Sequence, residues 1–185
     1  TKEYKGKIAE TPEEAAKDSD FVFSCVGNDD DLKEVAIGKK GIFNTIKKGS
    51  IYIDNTTASA AIARELHKNA KAHGFGFLDA PVSGGQAGAE NGALTVMVGG
   101  DREDFDKAKN IINCYSKKIQ LLGPSGSGQL AKMVNQICIA GLVQGLSEGI
   151  NFGINAGLNM EEVIEVISKG AAQSWQMENR YKTMI

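Results

Sequence analysis

Residues 79–85 read Asp-Ala-Pro-Val-Ser-Gly-Gly and place a serine and two glycines directly after a short apolar run. We expect a strand that ends in a small-residue loop, which Gly88 extends. A loop rich in free backbone N–H groups can hold a carboxylate. The pattern makes Ser83, Gly84 and Gly85 candidate substrate-binding residues, with a purely structural Ω-loop as the alternative.

Lys132 is the candidate for proton transfer. Glycines within residues 123–128 open a predicted helix, on which Lys132, Asn135 and Gln136 fall within one turn and can converge. Apolar residues on both sides of Lys132 predict that it is buried, which disfavours its charged form and lowers its pKa. A neutral amine can act as a general base. Asn135 and Gln136 are candidate substrate-binding amides, and a surface lysine without chemistry is the alternative.

Two further pairs of residues follow predicted strands and are candidate ligand contacts. Val26-Gly27 ends one apolar run, and Thr56-Thr57 follows another. A glycine after a strand lets a ligand approach the backbone, and threonine hydroxyls can contact a nucleotide. The alternatives are a plain turn for the first pair and capping of the next helix for the second.

The elements that must carry these residues alternate between strand and helix. Apolar runs predict strands over 21–26, 50–53 and 75–80, and capped segments predict helices over 11–17, 30–37 and 59–72. This alternation predicts crossovers and a parallel sheet, with ligands at the carboxyl ends of the strands. We expect a strand over 94–98, a helix over 101–112 and a strand over 118–122 to extend the same sheet.

A single long helical pattern covers residues 129–157. Its apolar residues lie on nearly all sides, which predicts burial of most faces. Glycines recur along one stripe, at positions 141, 145, 149 and 153. The stripe predicts close helix packing; a membrane dimer is the alternative, against which the polar and charged residues of the helix argue. Asn159 is expected to cap a further helix, to about residue 168, that belongs to an all-α unit.

Composition excludes several classes of function. The 185 residues carry a formal net charge of −2, which gives no basic field for nucleic acid. No Cys/His cluster suggests a metal, and we expect Cys25, Cys114 and Cys138 to be free thiols, the first and last of them buried, in a reducing, cytoplasm-like compartment. No signal peptide or uninterrupted apolar run of membrane-spanning length is visible. Because the chain begins at Thr1 and ends in mid-pattern, we expect a fragment.

These motifs together resemble the β-hydroxyacid dehydrogenases, the group of 3-hydroxyisobutyrate dehydrogenase, tartronate semialdehyde reductase and the glyoxylate and succinic semialdehyde reductases. The resemblance rests on residues 79–88 and 123–135. Residues 22–27, 54–57 and 177–180 match the family in the same order, so that it covers nearly the whole chain.

The resemblance implies an α/β fold in two parts. Residues 1–124 would form a Rossmann-type domain that binds NAD or NADP and lacks its N-terminal βαβ unit. Residues 125–185 would form a long interdomain helix and the start of an all-α domain that supports homo-oligomers, dimers or tetramers. We expect a small carboxylate as the substrate, no nucleic acid or membrane as a partner, and a cytoplasmic enzyme, or one of the mitochondrial matrix in a eukaryote.

The resemblance also implies roles for the candidate residues. Lys132 matches the catalytic lysine, and Asn135 matches the amide that orients the substrate. Ser83, Gly84 and Gly85 match the loop that binds the substrate carboxylate. The positions that match cofactor contacts are Val26, Gly27 and Thr57.

Two departures from the family pattern bear on these roles. Val26-Gly27 stands where many members have Leu-Pro. The sequence also holds no G-x-G-x-x-G fingerprint that opens a helix after a strand, and that fingerprint would anchor the pyrophosphate. We therefore expect the 185-residue chain by itself to be inactive or nearly so. We also expect it either to self-associate or to be part of a longer ordered protein.

Two other functions remain open. One is a non-catalytic nucleotide- or partner-binding module on a dehydrogenase fold, against which the retained Lys132 argues. The other is an enzyme similar to 6-phosphogluconate dehydrogenase, which needs basic residues for a phosphate; residues 81–99 contain none.

Overall fold

The computed structural model describes residues 6–185. These residues divide into two compact units, one that ends at Lys132 and one that covers Met133–Ile185.

The first unit is built on a six-stranded mixed sheet. Its strands are β1 (Phe21–Ser24), β2 (Ile51–Asp54), β3 (Gly76–Asp79), β4 (Val82–Ser83), β5 (Leu94–Gly100) and β6 (Ser116–Gly123). They lie in the order β1-β2-β3-β5-β4, and β6 pairs with β5. The pairs β1–β2, β2–β3 and β5–β6 are parallel, as predicted.

The sequence reading did not predict that β5 runs antiparallel to both β3 and β4. The connection from β3 to β5 explains this difference. It contains the short strand β4 and a helix of only six residues. A parallel connection needs a crossover of a dozen or more residues, usually a longer helix.

Among the described residues, the first unit contains five α-helices, and all but the fourth were predicted as helices from the sequence. They are α1 (Pro12–Ala16), α2 (Asp29–Ile37), α3 (Ala60–His73), α4 (Gly85–Glu90) and α5 (Arg102–Ile112). The Thr11 and Ser59 side chains accept a backbone N–H at the start of α1 and α3. Gly74, with φ of 84°, ends α3 in the left-handed conformation.

The sheet separates two apolar clusters because successive strand residues point to opposite faces. Tyr52 and Phe77 belong to the cluster that includes Leu66 of α3. Ile53 and Leu78, their neighbours in sequence, belong to the cluster on the other face. The sheet is thus packed on both sides. Because β1, β2 and β3 are parallel, their carboxyl ends meet at one edge of it.

The second unit is helical. Helix α6 (Ser127–Asn155) begins in the first unit and is followed by α7 (Met160–Ile167) and α8 (Trp175–Arg180). Asn159 caps α7, as predicted. A small core joins the three helices through four buried residues: Ile150, Met160, Ile164 and Met177.

Much of α6 is exposed, so the prediction that most of its faces are buried is wrong. Its exposed large apolar residues include Val134, Ile137, Leu142, Phe152 and Ile154. The physical reason is that α7 and α8 contribute core contacts only to the last part of the helix, around Leu146 and Ile150.

Close helix packing holds at one end of the glycine stripe only. A Cβ added at Gly141, Gly145 or Gly149 would meet no atom within 4 Å, whereas one at Gly153 would collide with the Met160 side chain.

The cysteines also differ from expectation. Cys25, Cys114 and Cys138 are free thiols, as predicted, but all three are exposed. Cys25 lies just beyond the end of β1, and Cys138 lies on the exposed part of α6.

Helix α6 is the one helix among residues 6–185 that is long and apolar enough to cross a membrane by length and composition. The sequence reading expected no such segment, because it counted only uninterrupted apolar runs. One such helix is weak evidence for a membrane span, and α6 carries Lys132, Gln144 and Glu148.

Candidate active site

Lys132 lies in the second turn of α6 and is 8% exposed. Its Nζ donates a hydrogen bond of 2.8 Å to the backbone carbonyl of Val82. Burial lowers the pKa of Lys132 from its ordinary value. The predicted burial and the predicted direction of the pKa are therefore confirmed.

The same contact places Lys132 beside the segment that carries the candidate carboxylate loop. Val82 and Ser83 form β4, which pairs with β5, and Ser83 is half-buried. Gly84 and Gly85 follow with φ of 142° and 62°, a backbone that favours glycine. They open α4, so the segment predicted as an irregular loop is a strand end followed by a short helix.

The ends of β1 and β2 are joined through Thr56, a candidate ligand contact whose side chain binds the protein backbone instead. The Val26 N–H donates to Oγ1 of buried Thr56 over 3.0 Å. Thr57 is exposed, as is Gly27. Because Ser59 caps α3, the alternative that the threonine pair caps that helix is wrong.

A buried carboxylate network lies beneath these strand ends. Ser24 Oγ donates to Asp54 Oδ1 over 2.7 Å and lies 2.8 Å from the Tyr52 hydroxyl. The Thr56 N–H also donates to Asp54 Oδ1, over 3.2 Å. Burial raises the pKa of Asp54 to about 6, against the opposing effect of these hydrogen bonds. Only the position of Asp54 at the end of an apolar strand signalled this in the sequence.

A mainly apolar cavity of about 530 Å³ opens next to these residues. Phe23, Cys25, Asn55, Val82 and Tyr115 are among its lining residues. Phe23 is 40% exposed, and the Tyr115 hydroxyl lies within 3.5 Å of the Asn55 amide. Such walls suit a flat, uncharged ring better than a charged group.

Asn135 and Gln136 belong to the second unit. There the Asn135 Nδ2 donates to Gln136 Oε1 over 3.0 Å. Asn135 is half-buried and Gln136 is exposed. The first unit thus brings together Lys132 with the Ser83 strand, and Val26 with Thr56.

Among residues 6–185, no group of three or more His, Cys, Asp or Glu side chains is arranged to hold a metal ion. The first unit does place a buried amine of lowered pKa beside small, polar residues at strand ends.

Two family models match the chain. Residues 1–123 match the NAD binding domain of 6-phosphogluconate dehydrogenase. Residues 126–185 match the NAD-binding model of NADP-dependent 3-hydroxyisobutyrate dehydrogenase.

Individual relatives agree with these models. An uncharacterised oxidoreductase of Shewanella frigidimarina is 62% identical over 182 residues, which cover 98% of this chain and 62% of that protein. A probable mitochondrial 3-hydroxyisobutyrate dehydrogenase of Dictyostelium discoideum is 42% identical over 75% of this chain and 43% of its own length. The chain thus spans less than two thirds of the relatives that it matches.

Solved structures give the same result for the fold. The 3-hydroxyisobutyrate dehydrogenase of Mycobacterium tuberculosis, solved with L-serine, matches with a TM-score of 0.82 and 28% identity. The match covers 92% of this chain and 58% of that one.

Proposed function

The chain belongs to the β-hydroxyacid dehydrogenase family, and we propose that it serves the interconversion of a small β-hydroxy acid similar to 3-hydroxyisobutyrate and its semialdehyde. It is an oxidoreductase chain whose cofactor class is NAD or NADP, since both matching models describe NAD-binding domains. The observation that carries the proposed reaction is the buried Lys132 amine, hydrogen-bonded to the carbonyl beside Ser83.

Lys132 is proposed as the general acid and base. When bound, NAD or NADP would supply the hydride acceptor in oxidation and the hydride donor in reduction. In oxidation, neutral Lys132 accepts the proton of the substrate hydroxyl; in reduction, its ammonium form returns that proton. An N–H of Lys132 donated to the Val82 carbonyl leaves the lone pair of the neutral amine free for the substrate. Burial supports this role because it increases the neutral fraction.

The remaining site residues are proposed in the roles that the family resemblance gives them. Ser83, Gly84 and Gly85 would bind the substrate carboxylate. Asn135 would orient the substrate, with Gln136 as a neighbouring amide.

The ends of β1 and β2 are proposed to contact the cofactor. Val26, Gly27 and Thr57 are the contacts, and the exposure of Gly27 and Thr57 leaves both accessible to a ligand. The adjoining apolar cavity would suit the dihydronicotinamide ring of the reduced cofactor, which is uncharged.

We further propose a homo-oligomer, dimer or tetramer, of the cytoplasm, or of the mitochondrial matrix in a eukaryote. The exposed apolar residues of α6 support association with protein, because apolar patches of this kind mark interaction surfaces. Light scattering on the full-length protein tests the oligomer, and a monomer at micromolar concentration would contradict it.

The test of the reaction uses the full-length protein with 3-hydroxyisobutyrate and 6-phosphogluconate as competing substrates. Lys132→Ala should lower kcat by about 100- to 10,000-fold, the usual contribution of a general acid–base group, with cofactor affinity little changed. Lys118→Ala, which removes an exposed lysine of β6, is the matched control and should keep full activity.

Three results would overturn the proposal. Near-normal turnover of Lys132→Ala would remove Lys132 from proton transfer. Faster turnover of 6-phosphogluconate than of 3-hydroxyisobutyrate would favour the sugar-phosphate alternative, and a full-length protein that binds cofactor and turns over neither would favour the binding module.

A further inference from the structure

The Asp79 carboxylate holds the first turn of the helix that carries Lys132. Asp79 ends β3 and is completely buried. Its Oδ1 accepts the Gly126 N–H over 2.8 Å, and its Oδ2 accepts the Gln129 N–H over 3.0 Å. Both donors belong to the start of α6, whose N–H groups have no partner within the helix.

Two glycines make this approach possible. A Cβ on Gly99 would lie 2.6 Å from Asp79 Oδ1 and 2.8 Å from the Gly128 nitrogen. A Cβ on Gly128 would lie 2.6 Å from the Asp79 carbonyl oxygen and 2.5 Å from that of Met97. The backbone of α6 therefore lies directly against the strand ends, which fixes the position of its first turn.

The Gln129 side chain forms a second connection. Its Nε2 donates to the Thr56 carbonyl over 2.7 Å, and its Oε1 accepts the Ala58 N–H over 3.0 Å. Gln129 is completely buried, so loss of its amide would leave two buried backbone groups without partners.

The contacts of Asp79 and the contact of Lys132 join the same two segments, residues 79–82 and the start of α6, at both of their ends. Lys132 follows Gln129 by three residues, and its acceptor Val82 follows Asp79 by three residues. The segment from 79 to 82 thus holds both the backbone of α6 and the amine that α6 presents. A displacement of the helix start would move the amine relative to Ser83.

We propose that Asp79 and Gln129 are positioning residues for Lys132, which set where its amine stands relative to the substrate-binding segment. This inference rests on the proposed function of Lys132 as the group that moves the proton. Neither residue is placed in contact with the reacting atoms.

The test is a double-mutant cycle in the full-length protein. Asp79→Asn removes the charge and turns one acceptor into a donor that faces an N–H group. We expect it to lower kcat by about 100-fold, as a misplacement of about 1 Å can, with the KM of the hydroxy acid and the affinity for cofactor little changed. In the Lys132→Ala background, it should change the residual kcat by no more than about twofold, the scatter between independent effects.

A structural role alone would give another pattern. If Asp79→Asn lowers kcat by the same factor with and without Lys132, or does not lower it at all, the positioning role is wrong. Near-normal activity of Lys132→Ala alone would instead disprove the proposed function, so the two failures are distinguishable.

A second variant covers the case in which Asp79→Asn does not fold. Gln129→Met keeps the length of the side chain and removes its two hydrogen bonds, and we expect the same dependence on Lys132. Equal losses in both backgrounds would overturn the proposal. Asp104→Asn removes a partly buried carboxylate of α5 in the same unit and should leave kcat unchanged.

Discussion

The two units of the chain treat similar apolar sequences in opposite ways. In the first unit, Tyr52, Ile53 and Leu78 are completely buried between the sheet and its helices. In the second unit, four buried side chains form the core, while Ile137 and Phe152 are more than 70% exposed. An apolar sequence pattern therefore indicates that a segment needs another surface to pack against. The pattern does not show which part of the chain provides that surface.

The units differ equally in their polar groups. The buried carboxylate and amine side chains among residues 6–185 are Asp54, Asp79 and Lys132, and all belong to the first unit. A parallel sheet brings its strand ends to one edge, where backbone N–H groups can satisfy buried carboxylates. We therefore expect the pH dependence of stability to arise mainly in the first unit.

The largest expected effect is the difference in the free energy of unfolding between the same substitution, isoleucine to alanine, in the two units. Ile53→Ala should reduce the free energy of unfolding by about 4 kcal/mol, because it leaves a cavity in a packed core. Ile137→Ala, at a side chain that is 71% exposed, should change it by no more than about 0.5 kcal/mol. Urea unfolding of both variants at equal protein concentration measures the difference.

A strongly destabilising effect of Ile137→Ala would contradict the exposure of this part of α6. A loss of 2 kcal/mol or more, on the order of a core truncation, would mean that α6 is covered in solution. In that case, the loss should shrink as the protein is diluted, because the stabilisation of the natural chain by association falls with protein concentration.

The sequence predicted the first unit well because local signals coincide with long-range ones. Thr11 and Ser59 mark helix starts by side-chain hydrogen bonds, and Gly74 marks a helix end by a left-handed backbone that favours glycine. The direction of β5 was missed, since no local signal distinguishes a strand that returns from one that crosses over. Burial along α6 was overestimated because helical periodicity does not show how many other elements pack against the helix.

A second, smaller effect concerns the buried carboxylate of the first unit. Burial raises the pKa of Asp54 from 3.8 to about 6, so between these values the folded state binds more protons than the unfolded state. Stability due to this group is therefore present below about pH 4, is lost as the pH rises to about 6, and then stays constant. The loss is on the order of 3 kcal/mol.

Asp54→Asn removes this titration. The stability of the variant relative to the natural chain should increase by up to that amount between pH 4 and pH 7, in urea unfolding at several pH values. Ser24→Ala, which deletes a hydrogen bond to the carboxylate, should shift the loss to higher pH. A difference between Asp54→Asn and the natural chain that does not vary with pH would contradict the assigned cause.

The candidate site was predicted only in part, because some of its contacts join residues that are far apart in sequence. Residue type and apolar neighbours sufficed for Lys132, whose burial and pKa direction the structure confirms. The contacts of Asp79 and Gln129 join positions about 50 and 70 residues apart in sequence, so no local spacing could reveal them. The available signal was three glycines, at 123, 126 and 128, just before a glutamine in an apolar helix.

The smallest expected effect lies in the second unit and tests its open glycine stripe. Gly145→Ala should raise the free energy of unfolding by about 1 kcal/mol, because alanine favours the helix and its Cβ meets no atom within 4 Å. Gly153→Ala is the matched control on the same helix. Its Cβ would collide with buried Met160, so it should be destabilising by about 1 to 3 kcal/mol. Urea unfolding followed by far-ultraviolet circular dichroism measures both. If Gly145→Ala is destabilising like its control, another surface must lie against the stripe in solution, and the contrast between a closed first unit and an open second unit would be false.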